Sequence, residues 1–190
     1  MQDLKRAALL LLFLTVLTGV VYPLAVTAVA QVVMPSAANG SLITVDGKVV
    51  GSTLVGQGFT DPEHFWTRPS ATGPSGYDGA ASSGSNQGPL NEALLDAVRR
   101  RVAALVDADP QHRTPVPVDL VTASASGLDP HVSVAGARYQ VARVAAARGL
   151  SPDAVQTLVD RHTKGRDLGV LGEPRVNVLE LNLALDAMPR

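Results

Sequence analysis

Apolar and polar positions follow two different patterns along this chain. From Ala7 to Val33 the run AALLLLFLTVLTGVVYPLAVTAVAQVV contains no Asp, Glu, Lys, Arg or His. As a helix rising 1.5 Å per residue it extends roughly 40 Å, enough to cross a hydrocarbon core of about 30 Å with tilt to spare. In lipid the backbone must satisfy its own hydrogen bonds, so a spanning run of this kind is a helix. Pro23 has no N–H for the Gly19 carbonyl, which predicts a bend between Gly19 and Pro23. Lys5 and Arg6 hold the N-terminus in the cytoplasm and place everything after Met34 outside it. A cleaved export signal has similar flanks: the same basic pair, an apolar core from Leu9 to Val21, and Ala28-Val29-Ala30 as a small-residue cleavage site. Apolar character continuing through Val32, Val33 and Met34 favours the uncleaved span.

Beyond the linker Pro35–Gly40 the apolar positions become short and periodic. Leu42–Val45 and Lys48–Val55 are β-branched runs joined by Asp46-Gly47, the signature of a hairpin. The stretch Arg68–Pro89 (RPSATGPSGYDGAASSGSNQGP) predicts a long loop, carrying Arg68, Tyr77, Asp78 and Asn86 among small residues. These four either bond a partner surface or pin the loop to its own domain. From Pro89, at a first helical position, Leu90, Leu94, Leu95, Val98, Val102, Leu105 and Val106 recur at helical intervals, and Asp107–Pro110 ends the run. Arg99-Arg100-Arg101 spread around that helix as a solvated face.

Val116–Ala123 alternates as a strand. The segment from Thr122 to Ser133 (TASASGLDPHVS) then packs a strand exit, a Ser/Gly turn, an Asp-Pro turn and a helix cap into twelve residues. It predicts a fixed turn, with Gly127 supplying an unusual backbone angle, that docks on a partner or braces the next helix. Ser133 caps a helix from Val134 to Arg148, closed by Gly149, with Ala137, Val141, Val144, Ala145 and Arg148 on one side and Gln140, Arg143 and Ala147 projecting elsewhere. Ser151-Pro152-Asp153 starts another helix to about His162, Thr163–Arg166 reads as a polar turn, Leu168–Leu171 and Gly172–Pro174 as a connector, and Val176–Met188 as a closing helix that could begin extended.

The expected organisation is residues 1–6 cytoplasmic, 7–33 transmembrane, and 34–190 one extracytoplasmic soluble domain. The fold class is α+β, one membrane helix followed by a mixed helix-and-strand domain. Aromatics are only 4%, so the domain core is aliphatic, and a net charge of −1 offers no basic field to nucleic acid. There are no cysteines, which excludes disulfides, thiol nucleophiles and cysteine metal sites. His64, His112, His131 and His162 stand too far apart for HxxxH or HExxH spacing, and no GxxxxGK[ST] loop is present. No catalytic or metal-binding constellation is read.

Six motifs in order nevertheless carry a resemblance over essentially the whole chain. They are Gly19–Pro23 (GVVYP), Phe65–Ala71 (FWTRPSA), Tyr77-Asp78 followed by Ser83–Asn86, Thr122–His131, Gln140–Ala146, and Arg175–Asp186 (RVNVLELNLALD). Together they resemble the C subunit of the Kdp-type, high-affinity, ATP-driven potassium transporter. The resemblance implies a non-catalytic, single-span subunit of the cell membrane whose partners are a potassium-channel-like subunit, a P-type ATPase subunit and membrane lipid. It implies a catalytic chaperone that raises the pump's affinity for ATP, with ATP reached through the hydrolysing subunit and no cofactor held directly. It also suggests nucleotide contact at Ser126, Gly127 and Gln140, with Asp129, His131 and Arg143 as further nucleotide or partner contacts. Gly19, Tyr22 and Pro23 become helix-packing positions in the membrane. An extracytoplasmic domain sits where ATP is scarce, so an effect on ATP affinity has to travel between distant sites.

Overall fold

A computed structural model describes residues 1–112 and 114–189. It divides into two compact units, Met1–Val50 and Gly51–Arg190.

In the first unit, α1 (Gln2–Val16), a π-helical turn (Leu17–Val21) and α2 (Tyr22–Val33) follow one another without a break. Together they make a 32-residue helix long and apolar enough to cross a membrane. Its aliphatic side chains are exposed, the pattern of a helix whose solvent is lipid. Where a bend is expected at Pro23, the structure has the π turn. The Tyr22 N–H reaches back five residues to the Leu17 carbonyl, widening the helix just ahead of the ring that would otherwise meet the Gly19 carbonyl. A one-turn helix, α3 (Pro35–Ala38), leads to the hairpin of β1 (Leu42–Val45) and β2 (Lys48–Ser52). Asp46 and Gly47 both take positive φ, 50° and 75°, as a two-residue hairpin turn requires. The second strand stops at Ser52, because a bridge from Ser52 to Val55 turns the chain before the predicted end.

The second unit is a mixed helix-and-strand domain, and several of its elements differ from expectation. The helix predicted from Pro89 is α4 (Glu92–Ala108), since Asn91 is the cap and its side chain accepts the Ala93 N–H. Leu90 is thereby left outside the helix and 91% exposed. The predicted strand at 116–123 is a 3₁₀ turn, Val118–Leu120. That turn lets Asp119 accept the Ser133 N–H at 2.6 Å and the Ser133 hydroxyl at 3.1 Å. His131–Ser133 is a strand, β3, where the sequence predicts only a turn and a cap.

Ser133 does cap the next helix through the Gly136 N–H, but that helix is two: α5 (Val134–Tyr139) and α6 (Val141–Arg148). At the junction the Gln140 N–H bonds to the Ala137 carbonyl, three residues back, while its side-chain amide takes the Gly136 carbonyl left over. Gly149 closes α6 with φ 66°, as expected. α7 (Pro152–Arg161) is capped by Ser151. The polar turn after it contains β4 (Thr163–Lys164), and the closing helix begins as β5 (Arg175–Asn177) before α8 (Val178–Asp186). β5 is central, pairing antiparallel with both β3 and β4. An aliphatic core of Val132, Ala137, Val144, Val155, Val159, Val176, Leu181 and Leu185 fills the space between this small sheet and the helices, with Phe65 fully buried among them.

Candidate functional site

Two motif-bearing loops meet in the second unit. The chain from Arg68 to Asp78 lies against the turn from Ser124 to His131, and polar side chains bind backbone across the contact. The Ser70 hydroxyl donates to the Gly127 carbonyl at 2.6 Å, and the Ser83 N–H donates to the Ser126 carbonyl at 2.9 Å. Arg68 pairs with Asp129 at 2.9 Å. Within the long loop, the Tyr77 hydroxyl donates to the Arg68 carbonyl at 2.5 Å, and the Asp78 N–H to the Thr72 hydroxyl at 2.8 Å. Thr72 is buried at the centre. Asn86 is exposed and takes a left-handed φ of 51°, which asparagine tolerates. Of the two roles weighed for this loop, its bonds are those of a segment pinned to its own domain.

Gly127 is fixed by its surroundings as well as by its φ of 67°. A Cβ there would stand 2.5 Å from the Ser83 carbonyl oxygen and 2.5 Å from the Thr72 methyl. Ser126 is exposed and its hydroxyl accepts the Leu128 N–H at 3.1 Å. Asp129 accepts from both the backbone N–H of His131, at 3.0 Å, and its ring, at 3.1 Å. Burial opposes ionisation of Asp129, but the His131 bonds, the Arg68 bond and the Arg68 charge outweigh it and hold the carboxyl below its ordinary range.

That depression has a pH consequence. A carboxyl with a lowered folded pKa stabilises the fold above its ordinary value, about 4, and loses that contribution as pH falls through the folded value. The melting temperature of the full chain should therefore drop on acidification below about pH 4. Asp129→Asn should flatten part of that drop, leaving the share owed to Asp186, whose carboxyl is also held down. A series of melts from neutral pH to pH 3 in both proteins checks this; identical slopes would refute it.

Gln140 and Arg143, predicted to project away from the side of Val141 and Val144, are nevertheless buried. They are 1% and 6% exposed. Both face the segment Pro62–Trp66, which is neither helix nor strand, and supply its missing backbone partners. The Gln140 side chain accepts the Trp66 N–H at 2.7 Å and donates to the Trp66 carbonyl at 3.1 Å. From α8, Asn182 does the same for Phe65, at 2.9 and 3.0 Å. Arg143 donates to the carbonyls of Pro62 and His64, and Arg148 to that of Glu63. The guanidinium of Arg143 also lies 4.4 Å from the Trp66 ring centroid. Burial pushes its pKa down to about 10, against the pull of Asp109 and Asp61, so it remains charged at neutral pH. Both carbonyl-binding side chains are thus spent inside the domain. Asn182 is a bracing residue that periodicity does not single out; an amide flanked directly by Leu181 and Leu183 is the sequence signal that points to it.

Among the described residues no group of His, Asp and Glu is arranged to hold a metal ion. Gly19, Tyr22 and Pro23 lie at the π turn of the long helix, with open space around Gly19 and with Tyr22 exposed.

The family model described as "KdpC: K+-transporting ATPase, c chain" matches residues 4–187. The chain belongs to the KdpC family. Among its relatives, the "Potassium-transporting ATPase KdpC subunit" of Sorangium cellulosum is 64% identical over 98% of each chain. The protein of the same description from Polaromonas naphthalenivorans is 63% identical over 99% of this chain and 96% of its own. That from Dechloromonas aromatica is 60% identical over 98% of both. In this chain most of the polar side chains singled out in the sequence bond within their own domain, while Ser126 and Asn86 stay exposed, and a separate exposed feature lies elsewhere. Between β4 and β5 the tip of a tight turn presents Leu168, Val170 and Leu171, which are 91%, 71% and 58% exposed. Asp167 and Leu171 exchange backbone bonds of 2.9 Å each way, and Leu168 is held at a φ of 52°. Arg166 grips Glu173 with two bonds of 2.8 Å, and Arg175 grips Asp167 at 3.0 and 3.2 Å.

Proposed function

We propose that this chain is a single-span accessory subunit of an ATP-driven potassium-uptake pump, with its domain outside the cytoplasm. It docks on the membrane-integral subunits, stabilises the assembly, and raises the affinity of the hydrolysing subunit for ATP through that assembly, without catalysing hydrolysis itself. Lys5 and Arg6 ahead of the long apolar helix support the orientation. Family membership supports the pump.

The observation that carries the docking role is the apolar tip at 168–171. Exposed aliphatic clusters mark contact surfaces, and this one is held in one shape by paired charges and a left-handed backbone. A fluid bilayer surface asks for no fixed shape and favours Trp, Tyr and surplus Lys or Arg. The tip has none of the aromatics, and two of its flanking cations are already paired. A preformed pocket on a partner subunit fits better.

Because the chain has no cysteine, Leu168→Cys gives a single reporter. In cells making this subunit alone it should react with a membrane-impermeant thiol reagent, and in cells making the whole pump it should be protected. Labelling only after lysis would reverse the orientation. Equal labelling with and without the other subunits would remove the tip from the interface. Leu168→Ser combined with Val170→Ser is expected to weaken co-purification with the pump subunits in mild detergent by tenfold or so, the loss of about two buried aliphatic side chains at partial efficiency.

A further inference from the structure

The second unit also holds a cleft of about 370 Å³ that the pump reading does not use. Its size is that of a small-molecule or chain-end site. Phe59, Trp66, Tyr77 and Pro74 supply apolar walls, and Arg68 and Arg101 supply charge; none of the described lining residues is acidic.

The donors are only partly spent. Arg68 gives one nitrogen to Asp129, while its Nε is buried with no partner. Arg101 gives one nitrogen to the Val121 carbonyl at 2.8 Å. A guanidinium carries five N–H donors in a planar fork suited to a carboxylate, and Arg101 uses only one of its donors on that carbonyl. Asp129 balances the charge of Arg68, whereas Arg101 has no carboxylate partner among the described residues. Burial, and the neighbouring Arg100, both work against the Arg101 charge. One uncompensated positive charge in an apolar-walled cleft calls for one negative charge on an apolar body.

We infer that this cleft binds a carboxylate carried on an apolar or aromatic body, with Arg101 taking the carboxylate and the Phe59, Trp66 and Tyr77 rings taking the body. That ligand is either a small organic acid or the free C-terminus of a polypeptide ending in an apolar side chain.

Trp66 is the only tryptophan, so its emission reports on the cleft without labelling. The test titrates the full chain, in neutral detergent, with phenylpropionate and its amide, and with a short peptide ending in Pro-Phe as free acid and as amide. A saturable change in Trp66 emission with at least one free acid, tenfold weaker or absent for its amide, is expected. A response to the small acid alone or to the peptide acid alone supports the site and identifies the source. Equal responses to acid and amide would overturn the assignment, as would no response to either acid. A response confined to phenyl phosphate, a dianion, would overturn the monoanion reading.

Arg101→Gln should weaken the acid about tenfold or more, the usual worth of a charge-assisted hydrogen bond, and Arg100→Gln on the exposed face should not. If Arg101→Gln fails to fold, Arg101→Lys keeps the charge while losing the fork. It should bind the acid detectably and more weakly; binding unchanged from wild type in that variant would remove Arg101 from the site.

Discussion

Replacing Gln140 by Leu should lower the melting temperature of the full chain by roughly 10 °C. Leu fills nearly the same volume, so the change isolates the amide. It leaves the Trp66 N–H and carbonyl without partners in a site only 1% exposed, and takes an acceptor from the Arg143 guanidinium. Unsatisfied buried polar groups cost about 1–3 kcal/mol each, so a total near 3 kcal/mol is a moderate expectation. For a domain of this size each kcal/mol moves the midpoint by about 3–5 °C. The measurement discriminates between two roles for the same residue. A nucleotide contact would leave the melt unchanged and raise the ATP concentration needed for half-maximal hydrolysis by the assembled pump. An internal brace lowers the melt, and any change in ATP dependence then follows the amount of folded subunit bound.

Gln140 falls off the apolar side of the predicted helix and is buried all the same, for a physical reason. Helical periodicity assigns a position to a face, and it assumes the helix continues. The helix is interrupted at Gln140, where the backbone N–H reaches back three residues and not four, so positions on either side no longer share one wheel. Periodicity also takes polar side chains as solvent-facing. Here Gln140, Arg143 and Asn182, together with Arg148 from the predicted apolar side, are turned inward because the segment Pro62–Trp66 enters the interior with no strand to satisfy its backbone. Nothing local to Gln140 signals that need; it lies about 75 residues earlier in the chain. The same non-local cause explains the short strands. His131–Ser133 and Thr163–Lys164 are strands only because Arg175–Asn177 comes to lie between them.

Features with a local cause were legible. The long uncharged run is the apolar helix. Asp46-Gly47 makes its hairpin, and Ser133, Ser151 and Gly149 cap as their residue types require. The two stretches singled out as chemically unusual, Arg68–Pro89 and Thr122–Ser133, do come together. What composition did not disclose is that each is the other's partner. The apolar tip at 168–171 reads as a connector because three aliphatic residues around Gly169 resemble any other loop in sequence; only their exposure in the fold sets them apart.

Gly127→Ala is the sharpest test of that mutual contact, and it should destabilise the domain by about 2–4 kcal/mol. Part of the cost is conformational, since a non-glycine residue in the left-handed region is strained by about 1–3 kcal/mol. The remainder is steric. The added methyl would meet the Ser83 carbonyl oxygen and the Thr72 side chain at 2.5 Å each. Thr72 is buried, and the Ser83 backbone is tied to Ser126, so neither yields without opening the junction. Ser126→Ala, one residue away, removes an exposed hydroxyl that accepts a single backbone N–H and should cost under about 1 kcal/mol. A nucleotide site would treat neighbouring Ser126 and Gly127 alike, with both variants melting normally and both shifting the ATP dependence of the pump. A hinge between two loops separates them: a large fall in melting temperature for Gly127→Ala, and almost none for Ser126→Ala. Limited proteolysis adds a second reading, because release of the junction should expose the segment 68–89 to cleavage in the Gly127 variant alone. Protection of that segment in both variants, with unchanged melts, would show that the contact between the two loops contributes nothing to the fold.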